Sequence, residues 1–338
     1  AEERHAQALR QLVAQAELAL NTDAQLAASM ARAGNVILPS FFSLGQPQGR
    51  ADAPLPAFAQ QSAIDETLGF SEPSTSGQHA IELLGQAAAG VGHLNQDQDP
   101  VDGAVRREPL LVNYFGKALP SLALLASMKS LNLGPQDIRL DAGEEVVQLG
   151  QLKIKTDATA RMLPQFYSGR EGKPAFTADS FFDVLSGKIP ASKYTDKIVL
   201  IGPTATGLGV QFSAPGHAAL TPVETIAHIT SSILNQHFIV EPVWAPLAAM
   251  GAFLLVAGYL ITLLPRLSAA QGATVTAVLF LSLTLSEFGL LSAAATWVQL
   301  VPAAALLLIG HMALTTKRFL VTEAGKTKSD EESAETNR

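Results

Sequence analysis

No cysteine occurs among the 338 residues, which excludes disulfides, thiolate nucleophiles and cysteine-ligated metals and suits an oxidising compartment. Clusters of Lys and Arg are missing as well, and 30 acidic against 23 basic side chains leave a net charge of −7. Without a basic patch the chain cannot displace counterions from a phosphate backbone, so nucleic acid is not an expected partner. Between Val243 and Thr316 charge of either sign nearly vanishes, Arg266 and Glu287 being its only carriers. No G-x-S-x-G elbow, Walker loop or pair of histidines four apart on a helix stands out. Catalysis, a metal and a cofactor are therefore not expected.

What is present is a very large apolar surface at the C-terminal end. The stretch 242–316 divides into three spans, about 243–264, 272–291 and 298–316, separated by the polar turn Pro265, Arg266 and Ser268 and by SAAATW. At 1.5 Å per residue the first is about 33 Å long, enough for a hydrocarbon core of about 30 Å. Trp244 and Trp297 sit at what should be one headgroup boundary. Arg266 lies in the first connection, Lys317, Arg318, Lys326 and Lys328 follow the third span, and the second connection has no Lys or Arg. Positive charge marks the cytoplasmic side, so the tail 317–338 is expected inside and residues 1–241 outside, in the periplasm of a bacterium with its inner membrane spanned three times. Ala1 opens the chain without a signal-peptide pattern, so this orientation predicts a translocating segment upstream. Glu287, an intramembrane carboxylate towards the outer end of its span, is either a functional group or a tolerated interfacial one, and His311 near the inner end of the third span poses the same choice.

Segment 1–241 is globular-sized and carries all but six of the acidic and all but six of the basic residues. Residues 2–20 space Leu9, Leu12, Val13, Ala16 and Leu20 as an amphipathic helix, and a second helix from about Ala24 to Ala33 closes at Gly34. NVILP at 35–39 reads as a buried strand. Phe41 to Ser76, rich in Gly, Pro, Ser and Gln, reads as a long surface excursion or a lid with one short helix, and a further helix is expected near Gln78 to Ala88. LLVNYF at 110–115 predicts a strand, Pro120 a helix start, VVQLG and LKIKT a hairpin through Gly150, and MLPQFY another strand. ADSFFDVLSG predicts a short helix ending at Gly187, KIVLIG at 197–202 a strand buried on both faces, and Pro222 a helix with Val223, Ile226, Ile229 and Ile233 towards the core. The order of elements predicts an α/β fold, a mixed, mainly parallel sheet flanked by helices, followed by the all-α three-helix membrane domain.

Three stretches invite a ligand. GPTATGLG, with Gly202, Thr204, Thr206 and Gly207, follows the expected strand and is either a tight connection or a backbone cradle for an anion. In DPVDGAVRR, Asp102 can accept from backbone N–H groups and pair with Arg106, or Arg106 and Arg107 can reach a ligand; the spacing of Asp97, Asp99 and Asp102 does not complete a calcium loop. His217, His228 and His237 are close in sequence without zinc-helix spacing, so His228 reads as a packed residue.

Taken together, VGHLNQDQDPVDGAVRREPLLVNYFGKALPSLAL, DVLSGKIPASKYTDKIVLIGPTATGLG and PVETIAHITSSILNQHFIVEP resemble the CHASE2 family of extracytoplasmic sensor domains, over roughly residues 23–316. The sequence departs from the family's usual pattern at Gln211, Ala214 and Pro222. The resemblance implies a sensor that feeds a cytoplasmic effector, and the tail is similar to the juxtamembrane stretch of bacterial CHASE2 serine/threonine kinases; no Gly-rich nucleotide loop or HRD motif lies within these residues. Signal coupling is expected along the helix of His228 and through Glu241 and Pro242 into the first span. Expected partners are the lipid bilayer, a small-molecule or protein stimulus, a cytoplasmic effector and a second copy of the chain. A membrane-anchored envelope scaffold that binds a partner protein is the rival reading.

Overall fold

The computed structural model describes residues 20–67, 69–169, 174–205 and 210–336, with side chains through Glu323. The expected helix over residues 2–20 falls almost wholly outside them, as do Thr206 and Gly207. The chain forms two compact units, Ala1–Phe238 and Ile239–Arg338.

In the first unit, α1 (Thr22–Ala33) starts where the Asn21 side chain accepts from the Ala24 N–H and stops at Gly34, whose φ of +65° carries the chain out in a left-handed turn. The apolar run after it becomes β1 (Ile37–Leu44). Then follow α2 (Ala57–Gln60), β2 (Ile64–Asp65), β3 (Glu72–Gln78), α3 (Glu82–Ala87), β4 (Gly90–His93), β5 (Asp97–Gln98), β6 (Val105–Pro109), β7 (Leu111–Tyr114) and β8 (Lys117–Pro120). The main sheet runs β2-β8-β7-β3-β1-β4. It is mixed, with β1/β4 and β3/β7 parallel and the hairpin β7/β8, β1/β3 and β2/β8 antiparallel. The parallel share is smaller than expected because β7 and β8 are joined by a tight turn, which forces them antiparallel.

Both faces of this sheet are covered, as an α/β fold requires. Along β7 and β8 the pleat sends Leu111 and Ala118 into one apolar cluster and Val112 and Leu119 into the other. The first cluster is filled by Leu124, Leu125 and Met128 of α4 (Leu122–Ser130) and by Ile226, Ile229 and Ile233 of the helix that Pro222 opens. The second holds Phe42 and Phe58. A three-stranded meander, β9 (Ile138–Asp141), β10 (Val146–Leu149) and β11 (Leu152–Lys155), adds Val147, Leu149 and Ile154 to the first cluster, with Gly150 turning the hairpin at φ +57°. β12 (Arg161–Pro164) pairs with β6. The short helix α5 (Phe181–Leu185) ends before Gly187, and β13 (Phe212–Ala214) and β14 (His217–Leu220) precede α6 (Pro222–Asn235), which starts with a capping box between Thr221 and Glu224.

Three local expectations need correction. Residues 72–78, EPSTSGQ, are no surface excursion: they form a strand between β1 and β7, held by ladder bonds on both sides although their side chains are polar. Pro120 closes β8 and Ser121, not Pro120, starts α4, its hydroxyl accepting from the Leu124 N–H. KIVLIG is not a strand. Among the described residues it has no ladder partner, and Ile198, Val199 and Ile201 are exposed. A strand-like side-chain pattern makes no strand unless a neighbour supplies the hydrogen bonds.

In the second unit, α7 (Ala245–Gly258) runs on through a π-helical turn at Tyr259–Leu263 and a tighter turn at Leu264–Arg266. α8 spans Ala269–Ala294, opened by the Ser268 cap, and α9 spans Val301–Thr336. Three segments, Ala245–Arg266, Ala269–Ala294 and Val301–Glu323, are long and apolar enough to cross a membrane. The last helix continues past the expected end of the third span because nothing in TKRFLVTEAGKTKSDEESAET breaks it, neither proline nor a glycine pair.

Gly92 of β4 is where strand and helix come closest: a Cβ there would lie 2.9 Å from the Cα of Leu122, at the first turn of α4. Because the obstacle is backbone, Gly92→Ala is expected to cost about 1–3 kcal/mol, read as a lowered denaturation midpoint of the full chain in detergent.

Candidate functional site

Two of the sequence segments that look distinctive converge on a buried polar centre. His93 ends the fully buried strand β4 and is bridged to Ser121, the cap of α4; the Ser121 N–H donates to the Leu110 carbonyl at 2.8 Å. Glu108, on β6, lies beside the Ser121 hydroxyl. All three are essentially inaccessible to solvent. Neither ring nitrogen of His93 has a well-aligned hydrogen-bond partner, nor does Oε2 of Glu108.

Burial decides the charge of both groups. Desolvation pushes the Glu108 carboxyl up to about 8 against the opposing pull of Ser121, and it pushes the His93 imidazole down to about 3, with the Leu110 carbonyl acting weakly the other way. That carbonyl lies near the ring but out of line for a full hydrogen bond. At neutral pH the centre therefore holds an uncharged carboxylic acid and an uncharged imidazole with hydrogen-bonding capacity to spare. Such a pair can take up or release a proton, or hold a small polar guest, without creating a buried ion pair.

Beside it the predicted pair assembles as a turn clamp. Asp102 accepts the Ala104 N–H at 3.0 Å, and Arg106 grips both carboxylate oxygens of Asp102 at 2.9 and 2.5 Å and Asp99 at 3.2 Å. The guanidinium holds the Asp102 carboxyl well below the usual carboxylate range. A second clamp was not legible in the sequence: Arg161 bridges Glu72 at 2.6 Å and Asp97 at 3.0 Å, partners 89 and 64 positions away. Gly202 packs against Val223 of α6, and Thr204 lies exposed in the loop after it.

The three histidines, close in sequence but without zinc-helix spacing, gather around Tyr167. His228, buried on α6, accepts the Tyr167 N–H through Nδ1 at 3.0 Å and stacks on its ring; the His217 ring lies 5.1 Å away, and His237 meets the Tyr167 hydroxyl at 3.2 Å. Phe176 closes on His228 edge to face, at 4.8 Å. Desolvation, reinforced by His217, brings His228 down to about 4. Among the described residues no group of three or more His, Asp or Glu is arranged to hold a metal ion. A groove lined by Phe41, Leu44, Leu94, Gln96 and Phe212 opens along the second half of β1 and past the C-terminal end of β4.

Val240 is tied within the second unit. Its N–H donates to Ala295 at 2.8 Å and its carbonyl accepts from Trp297 at 2.9 Å, while the Pro242 carbonyl accepts from Ala245 at 2.8 Å; Glu241 is half-buried. Glu287 is half-buried on α8.

The two kinds of titrating group act in opposite directions. Glu108 has a raised folded pKa, so its contribution to stability is fully present below about pH 4.5 and is lost as pH rises through about 8; His93 and His228, lowered, contribute fully above about pH 6.5 and lose it on acidification. Between pH 6.5 and 8 Glu108 acts alone among the three. Stability of the full chain in detergent is expected to fall over this window, by at most about 1.4 kcal/mol per pH unit from this group, and Glu108→Gln to flatten the fall; an unchanged slope refutes the assignment.

No curated protein and no solved structure matches the chain. The profile of the CHASE2 domain matches residues 1–264, which takes in the polar centre, both clamps, the histidine group and the first span. The chain therefore belongs to the CHASE2 domain family, and three helices long and apolar enough to cross a membrane form its C-terminal part.

Proposed function

We propose that this chain is an extracytoplasmic sensor and transmembrane signalling module, with residues 1–241 in the periplasm, three helices in the bacterial inner membrane and the C-terminus in the cytoplasm, where it regulates a serine/threonine protein kinase. The observation that carries the reading is the CHASE2 match over residues 1–264 in a chain with three helices long and apolar enough to cross a membrane. In sequence, α6 with its buried His228 is followed within a few residues by Val240, which is hydrogen-bonded on both sides to the loop before the third span, and then by the first span.

A stimulus acts only by binding two arrangements of the domain unequally. The groove suits a small molecule of mixed character, aromatic and apolar on its walls with the Gln96 amide at one side, Asn95 being held by the Phe42 backbone. Asp102, Arg106, Gly202 and Thr204 belong to the same ligand-facing proposal. The positive charges of Arg266, Lys317 and Arg318 support the orientation. The second reading, an envelope scaffold, is favoured by one observation: Phe181, Phe182, Leu185 and Ile201 expose between 63% and 76% of their surface, which suits a protein partner.

Inserting Gly-Ser after Val240 is expected to abolish regulation of the effector while leaving the fold intact; regulated output at the unmodified level removes the sensor reading. Alkaline phosphatase fused after Arg338 is expected to be inactive, and an active fusion reverses the orientation. Saturable thermal stabilisation of the full chain by a small molecule separates sensing from scaffolding.

A further inference from the structure

Each of the three spans contributes one polar side chain to a single hydrogen-bonded chain. The Tyr259 hydroxyl, on the first span, meets the Thr276 hydroxyl, on the second, at 2.9 Å; Thr276 meets Nδ1 of His311, on the third, at 2.8 Å. Tyr259 also lies 3.2 Å from the Gly272 carbonyl. Tyr259 and Thr276 are buried and His311 half-buried. The Tyr259 hydroxyl donates to the Gly272 carbonyl, so with the His311 proton on Nδ1 the run is Nδ1–H to Thr276, Thr276 to Tyr259 and Tyr259 to that carbonyl, each donor used once.

Independent features sit on the same level. The first helix turns π-helical from Tyr259, the Leu264 N–H reaching the Tyr259 carbonyl five residues back, a departure that concentrates at functional sites. Packing is close here: a Cβ on Gly272 would lie 2.9 Å from the end of the Leu264 side chain, and one on Gly310 would displace the end of the Leu260 side chain. One turn further along, the Arg318 guanidinium donates to the carbonyls of Leu264 and Leu267, at 3.3 Å each, and to that of Pro265. These carbonyls lie where the first span ends, that of Leu264 also accepting the Leu267 N–H at 3.3 Å. Arg318 belongs to α9, which runs on to Thr336.

We propose that Tyr259, Thr276 and His311, with Arg318, form an interhelical lock that fixes the register of the first span against α9, and that α9 carries movement of the first span towards the C-terminus. The lock is directional and individually weak: apolar spans slide past one another at little cost, whereas a broken hydrogen bond between them leaves a polar group in hydrocarbon. The π turn is the compliant element, since its conversion to α-helix rotates the helix on one side of Tyr259 against the other. The lock rests on the sensor reading only for its use; its existence is a matter of packing alone.

The absence of native cysteine allows the test. In membranes, oxidative cross-linking of a Leu260→Cys, Gly310→Cys pair is compared with that of a pair one helical turn out of register, Leu260→Cys with Leu314→Cys. The in-register pair is expected to dominate, and Tyr259→Phe, Thr276→Val and Arg318→Gln each to lower that preference about threefold, the factor set by a typical interhelical hydrogen bond. Thr284→Val, whose hydroxyl bonds only its own helix at Phe280 and Leu281, is the control and leaves it unchanged. Tyr259→Phe keeps the size of the ring, so lost folding does not confuse the result. An unchanged preference in all three variants overturns the lock whatever the outcome of the Gly-Ser insertion.

Discussion

A polar group taken out of water must find a partner, give up its charge, or stay at the surface, and this constraint organises both halves of the molecule. In the first unit it leaves Glu108 protonated and His93 neutral, and it obliges Arg161 to collect two carboxylates as it enters the interior. In the second it draws Tyr259, Thr276 and His311 together and sends Arg318 to the carbonyls at the end of the first span. The solutions differ because the surroundings differ. A soluble core tolerates an uncharged acid beside a hydroxyl, whereas hydrocarbon leaves almost no alternative to a bond from helix to helix.

The same constraint shapes the frame that holds these groups. Ser121 serves at once as the cap of α4, the bridge partner of His93 and the neighbour of Glu108, so the polar centre is built into the point where sheet and helix are joined. Gly92 permits that join by leaving room for the helix backbone. The histidine group around Tyr167 includes His228 in the middle of α6, the last helix of the first unit. Polar interiors at both core helices mean that a change in hydration or protonation acts on elements that carry the core, not on a surface loop.

Local chemistry made much of this legible. α1 and α6 are bounded by side-chain caps that can be read letter by letter, Asn21 with Gly34 and Thr221 with Glu224. The hairpin through Gly150 and the Asp102–Arg106 clamp are contacts between near neighbours, so spacing alone predicts them. Residues 72–78 hid their strand because a central strand whose neighbours supply the ladder needs no apolar alternation of its own. KIVLIG misled in the opposite sense: it has the pattern and lacks the neighbour. His93 and Glu108 lay inside stretches already singled out, yet a histidine after glycine and a glutamate after two arginines look like surface residues until burial is known.

By itself the sequence determined the polarity of the chain: a water-soluble portion, three apolar spans, and positive charge gathered at one end of them, because hydrophobicity and charge are sums over residues that need no partner. It also set where the capped helices begin and end. Only the tertiary structure decided which polar groups meet. Tyr167 and His228, or Tyr259, Thr276 and His311, are brought together by packing between distant elements, and no property of a residue taken alone specifies which distant residue will stand opposite it.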